Sequence, residues 1–342
     1  MMRSFFAWGN DLHSGRTSIP FIKRSKLWLG IAIALMIASL IVPLLGGFNL
    51  GIAFKGGSQF QIANTSDTSE QHAHDAVAEV VGNGVSTSVV PTSDTSIKID
   101  TDQLTDDQMQ QVRDALVTSY NVENEDVTSN FVGPKWGQDV TEKMTRALII
   151  FVAIAMLVMA IYFRTWKMSL AAILGLVFVM VLTMGIYSAL GFEVTPEAII
   201  GFLTVLSFSL YDTVVVFDKI RENTEDFKEN NRMKFSELVN LGVNQTTVRS
   251  INTSMISVLP IAAILFIGVF LLGAGTLTDI ALSLFIGTIV AAASTLFVAS
   301  PLYNLLRHNE PAVKEQEAMV DEHRRKHGLP DRPPVLFEDV RA

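Results

Sequence analysis

Asp212 stands inside the apolar run Ile199–Phe217, within the sequence FSLYDTVVVFDKIREN that begins at Phe208. A carboxylate held in hydrocarbon costs on the order of 3 kcal/mol, so residues so placed typically serve an ion path or a coupling step. The alternative is a structural ion pair that only fixes helix packing. Asp212 lies about five residues, roughly 8 Å, from the end of its span. Ser209, one turn earlier, offers a hydroxyl on the same face. In the next apolar segment Arg249, Asn252, Thr253 and Ser257 fall on one helical stripe. Consecutive spans run antiparallel, so this stripe is expected at the depth of Asp212, with Arg249 reaching inward to pair with it.

These residues need membrane helices to position them. The chain has 342 residues, 49% of them hydrophobic, and a mean hydropathy of +0.36, which fits a polytopic membrane protein. Length and lack of charge mark six spans: Leu27–Leu45, Ala147–Phe163, Met168–Phe192, Ala198–Phe217, Ile251–Leu272 and Ile280–Leu302. The first is too long for a cleaved signal and reads as an anchor. Ser283, Gly287 and Ala291 form a small-residue seam in the last. Basic residues cluster in the segment before the first span, at Arg164/Lys167, in the loop 218–250 and in the tail after Arg307. That pattern predicts all four, and both termini, on the cytoplasmic face. The domains expected are residues 1–26, the first span with its exit at 27–50, an outer insert at 51–140, a five-helix bundle at 141–306 and a tail at 307–342. Within the loop, Ser236–Val243 suggests a short amphipathic helix lying at the interface.

The insert is too long to lack structure of its own. Ser58–Ile62 alternates as a strand, Ser69–Val81 has helical spacing with Ser69 as N-cap, and Gly84–Val90 with Ser96–Asp100 reads as a hairpin around the turn-rich Pro91–Thr95. A helix from Thr105 and a strand at Asp126–Val132 complete a ferredoxin-like order, a binding or lever domain without visible catalytic groups. The insert holds 14 Asp/Glu against 4 Lys/Arg, which disfavours nucleic acid as a partner. Cysteine is absent, excluding thiol chemistry and zinc ribbons. Gly9–Ser18 fails the P-loop spacing, and neither His72/His74 nor His323/His327 has metalloenzyme context. No metal, nucleotide or other cofactor and no enzymatic activity are expected. The basic tail is expected to meet lipid headgroups or a cytoplasmic partner.

Three motifs carry a family resemblance: Gly51-Ile-Ala-Phe-Lys-Gly-Gly57 after the first span, Ser209-Leu-Tyr-Asp-Thr-Val-Val-Val-Phe-Asp-Lys-Ile-Arg-Glu-Asn223, and Arg249-Ser-Ile-Asn-Thr-Ser254. With one span, a large insert and five further spans, the chain resembles the SecF family of protein-export membrane subunits, in the SecD/SecF group of the resistance-nodulation-division (RND) superfamily. It departs from that family's usual pattern at Ala53 and Tyr211. The resemblance implies half of an RND-type bundle in the bacterial cytoplasmic membrane, partnered by SecD beside the SecYEG channel. It implies use of the proton or sodium gradient to draw preproteins across after the SecA ATPase has begun. Asp212 and Arg249 would then be ion-coupling residues supported by Ser209, Asn252 and Thr253, with Gly51, Gly56 and Gly57 passing motion to the outer domain. A passive translocase scaffold and an RND-type exporter of small molecules or lipids remain as other readings.

Overall fold

The computed structural model describes residues 5–47, 49–82, 84–93, 95–163, 165–267 and 275–335. Arg3, Arg164, the end of the expected fifth span (268–272) and the last residues of the tail fall outside them. The chain opens with helix α1 (Phe5–Ser14), and the first long apolar helix is α2 (Ser25–Gly46). After it come the short α3 (Ile52–Lys55), β1 (Gly57–Ile62), α4 (Glu70–Val81), β2 (Thr87–Ser93), β3 (Ser96–Thr101), α5 (Asp106–Tyr120) and β4 (Val127–Val132). Then follow α6 (Pro134–Phe163), α7 (Trp166–Ala189), α8 (Pro196–Asn223), α9 (Phe235–Ile267), α10 (Gly275–Ser294), α11 (Ser300–His308) and α12 (Pro311–His327). Among the described residues six helices are long and apolar enough to cross a membrane, making this a multi-pass membrane protein.

The insert folds as a four-stranded antiparallel sheet in the order β2-β3-β1-β4. Its inward residues Phe60, Ile62, Ile97 and Ile99 pack on Ala73 and Val77 of α4 and on Val112 and Leu116 of α5. This is the ferredoxin-like arrangement the strand and helix periods predict. Two local expectations change. Pro91 belongs to β2, not to a turn, and a bulge follows it; β2 is an edge strand, where a missing N–H is tolerated. Ser69 occupies the N-cap position of α4 but makes no side-chain cap bond. Thr105, by contrast, forms a full capping box with Gln108 at the start of α5.

The helices also extend beyond their apolar windows. The second span is the end of a 30-residue helix that starts at Pro134, inside the stretch expected to belong to the insert. Ser236–Val243 is not a separate interfacial helix. It is the first part of the 33-residue α9, and Leu238, Val239 and Val243 pack with Phe217, Ile220, Tyr303 and Val313 in the largest core cluster. Burial of that apolar face against its neighbours is the reason the segment stands on the bundle instead of lying on lipid. Close helix contacts rest on small residues. A Cβ at Gly201 would meet Ser283 and one at Gly287 would meet Val205, so the seam on α10 is packed directly onto α8.

Candidate functional site

Pro196 and the Thr195 side chain, which accepts from the Ala198 amide, start α8. The helix then carries Asp212 into the interior between α9 and α10. The Ser250 hydroxyl of α9 donates to Asp212 Oδ1 at 2.7 Å. Asp212 Oδ2 is sealed from solvent and has no hydrogen-bond partner. One residue further along α8, Thr213 shares a 3.2 Å hydroxyl contact with Thr295, and the Thr295 side chain also faces Asp212.

Thr295 belongs to a π turn, Thr295–Ala299, inserted between α10 and α11. Pro301 lies just after it and cannot donate to the regular ladder. The Ser300 hydroxyl donates to the Thr295 carbonyl, and Ser294 reaches across to the Gly175 carbonyl of α7 at 3.0 Å. Single π turns inside α-helices concentrate at functional sites. The result is a partly buried carboxylate that takes the Ser250 hydroxyl on one oxygen and lies beside the π turn that carries Thr295.

The expected partners are distributed differently. Arg249 makes no direct hydrogen bond or ion pair to Asp212, although its charge is near enough to act on the carboxylate; its guanidinium donates to the Tyr211 hydroxyl at 3.4 Å on the exposed side of α8. Asn252 and Thr253 follow it onto that side, where they line an open groove of about 410 Å³ with Asn10, His13 and Gln245. The reason is angular: successive helical residues are about 100° apart, so turning Ser250 inward turns Arg249 out. Ser209 is buried on the expected face, yet the carboxylate takes its hydroxyl from Ser250. Sequence reasoning missed Ser250, Thr213, Thr295 and the π turn. Ser250 sat within a quoted motif, one position from the stripe chosen, and Pro301 was the available signal for the turn.

The motif Gly51–Gly57 builds the junction between sheet domain and bundle. The Gly51 amide donates to the Val194 carbonyl at 3.0 Å and Val194 to Asn49 at 2.7 Å, a short parallel bridge to the α7–α8 turn. A Cβ on Gly51 would lie 2.4 Å from Glu193 Oε1, so the missing side chain makes room for that carboxylate. Glu193 in turn pairs with Lys98 of β3. Gly57 has φ +139°, and a Cβ there would lie 2.4 Å from the Thr101 carbonyl. Gly56, also at positive φ, sits against Pro134. Gly51 and Gly56 therefore serve close docking of the sheet domain on the α7–α8 turn and on α6, while Gly57 allows the close β1–β3 approach within the sheet.

Residues 112–309 match the family described as protein export membrane protein SecD/SecF, C-terminal. The chain is 38% identical over 321 residues to a protein translocase subunit SecF of Streptomyces coelicolor, covering 91% of this chain and 83% of that one. It is 36% identical to a SecF of Mycobacterium tuberculosis, covering 93% and 74% respectively. Among solved structures it resembles SecDF, a translocon-associated membrane protein from Thermus thermophilus, with a TM-score of 0.76 at 26% identity. That match covers 86% of this chain but only 39% of the longer SecDF chain. SecDF in a super-membrane-facing form matches with a TM-score of 0.62.

Proposed function

Since the chain belongs to the SecD/SecF protein-export family, we propose that it is an accessory subunit of a Sec-type protein translocase that couples an ion gradient to preprotein movement. The SecDF likeness over 39% of a longer chain supports association with a SecD half that completes the bundle. In this reading it lies in the bacterial cytoplasmic membrane with both termini cytoplasmic and the sheet domain outside. SecYEG, SecA and the preprotein are its further partners. It has no enzymatic activity and no cofactor, and a proton or sodium gradient supplies the energy.

The observation that carries the proposal is Asp212, a carboxylate within the bundle with one oxygen held by Ser250 and the other sealed from solvent, the Thr295 side chain facing the group. One elementary charge moving through 100 mV gains about 2.3 kcal/mol. That is comparable with the roughly 3 kcal/mol cost of a carboxylate at depth, so gradient and site energies are matched. A change of that size moves a two-state equilibrium by about two decades. Motion would reach the sheet domain through α6 and the junction at Gly51–Gly57. Arg249 and Asn252 lie on the exposed side of α8 and α9, where they would complete the ion path with SecD.

The test is preprotein translocation into inverted vesicles containing this chain and its partner, with and without a gradient, comparing wild type and Asp212→Asn. Loss of only the gradient-stimulated part is expected. Equal stimulation in both proteins would reduce the chain to a scaffold and overturn the proposal.

A further inference from the structure

The first amides of an α-helix have no partner within it, and usually a residue just before the helix supplies one. At α9 the first two amides find their partners far along the chain, in α12. The Gln316 side chain accepts from the Phe235 amide at 3.0 Å and donates to the Asn230 and Met233 carbonyls, both at 2.8 Å. Its hydrogen-bonding capacity is thereby nearly exhausted, and the residue is buried. Glu317 Oε1 accepts from the Ser236 amide and hydroxyl at 3.3 and 2.8 Å. About two turns later, the buried Arg324 grips both oxygens of Glu237 at 3.0 and 2.7 Å and the Arg232 carbonyl at 2.9 Å.

The elbow leading into α12 is tied just as firmly. Arg307 stacks over Phe227, Phe235 and Tyr303 and pairs with Glu310. Lys167, at the start of α7, reaches the same Glu310 at 3.0 Å. Burial pushes the Glu310 carboxyl up, but Arg307 and Lys167 outweigh it and hold the group below the usual carboxylate range. The ends of α7, α9 and α11 nearest this tail, and the loop that joins α8 to α9, are thus fastened to one another by α12 and its elbow. Two of the elements so fastened carry the Asp212 site, α9 with Ser250 and the helix containing the Thr295 π turn, and the gripped loop continues directly from α8, which carries Asp212.

We infer that α12 is a positioning clamp: Gln316, Glu317 and Arg324 fix the axial register of α9 on α8, and through it the Ser250 hydroxyl on Asp212. A helix is stiff along its axis, so the position of its first turn sets the height of every residue above it. The clamp concerns the site invoked for coupling and rests on that reading for its functional part, but its structural part stands alone.

The closing experiment separates the two. The natural chain has no cysteine, so paired substitutions report cleanly. Asn223 and Gln245 share a 2.9 Å contact between α8 and α9, and Asn223→Cys with Gln245→Cys gives a cross-linking pair that reads register. Gln316→Leu, which keeps size and buries readily, is expected to slow this cross-link about tenfold, as loss of several buried hydrogen bonds implies. Glu317→Ala, a milder change at a half-buried residue, is expected to slow it less. The pH of half-maximal gradient-stimulated export should move with Gln316→Leu in the direction found for Ser250→Ala. An unchanged cross-link in both variants overturns the clamp. A slowed cross-link with an unmoved pH profile keeps the clamp as architecture and overturns its link to Asp212. Failure of the coupling reading would instead show as full gradient stimulation in Asp212→Asn.

Discussion

The ion pair between Lys98 and Glu193 joins the sheet domain to the bundle, and its two partners should respond unequally to removal. The side chains are 15% and 6% exposed. Deleting one partner of a buried pair leaves an uncompensated charge and costs about 3–5 kcal/mol. Lys98→Met leaves Glu193 alone, packed against Gly51. Glu193→Gln leaves Lys98 with the carboxylate of Asp279 still in its surroundings, so it should cost less. The junction amides of Gly51 and Val194, which bridge to Val194 and Asn49, report directly on docking. At about 3 kcal/mol their hydrogen exchange in the intact protein should accelerate on the order of a hundredfold in Lys98→Met. Lowering the pH protonates an unpaired carboxylate and removes the penalty. The Lys98→Met protein should therefore recover towards wild type in acid, whereas Glu193→Gln should not. The double variant should lie well short of the sum of the two. Unchanged exchange in Lys98→Met, or additivity in the double variant, would refute the reasoning.

Two further outcomes follow from the sheet domain. Burial pushes the Asp100 carboxyl above its usual range, against the pull of the Gln59 hydrogen bond, Lys98 and Lys55. A raised folded value means that stability from this group is present below the unfolded value and lost as pH rises through the folded one. Asp100→Asn should therefore slow exchange of the β3 amides at neutral pH, with the gain vanishing below about pH 4; a gain that persists in acid would contradict this. Gly57→Ala forces a Cβ onto the Thr101 carbonyl at an unfavourable φ and should cost a few kcal/mol. Thermal unfolding of the domain in the intact protein is the check, and a variant as stable as wild type would remove the steric explanation.

Alternation in β1 and β3 and the 3.6-residue period of α4 and α5 made the domain legible, because each element buries one face against a single core. Helix ends were less legible. Hydropathy marks where side chains leave hydrocarbon, whereas α6 and α9 continue their backbone ladders through Lys135–Arg146 and Ser236–Thr247. The site divided in the same way. Asp212 was conspicuous as a lone charge in an apolar run, but its partner depended on a rotation of one residue between Arg249 and Ser250. That rotation is set by packing of Leu238, Val243 and Thr247 on the tail side of the bundle, which spacing within one segment does not encode.

The π turn at Thr295–Ala299 has a consequence of another kind. In terms of chain length it is one extra residue in an otherwise regular helix, and it rotates everything downstream by about 100°. Upstream, α10 packs chiefly on α8 and α9; downstream, α11 packs on α7, α2 and α9. The insertion lets one continuous helix keep Gly287 against Val205 and still deliver Tyr303 and Arg307 to the aromatic cluster of Phe227 and Phe235. A relative lacking that residue would have to rebuild one set of contacts or the other, so a single-residue change in length here is coupled to two packing surfaces at once.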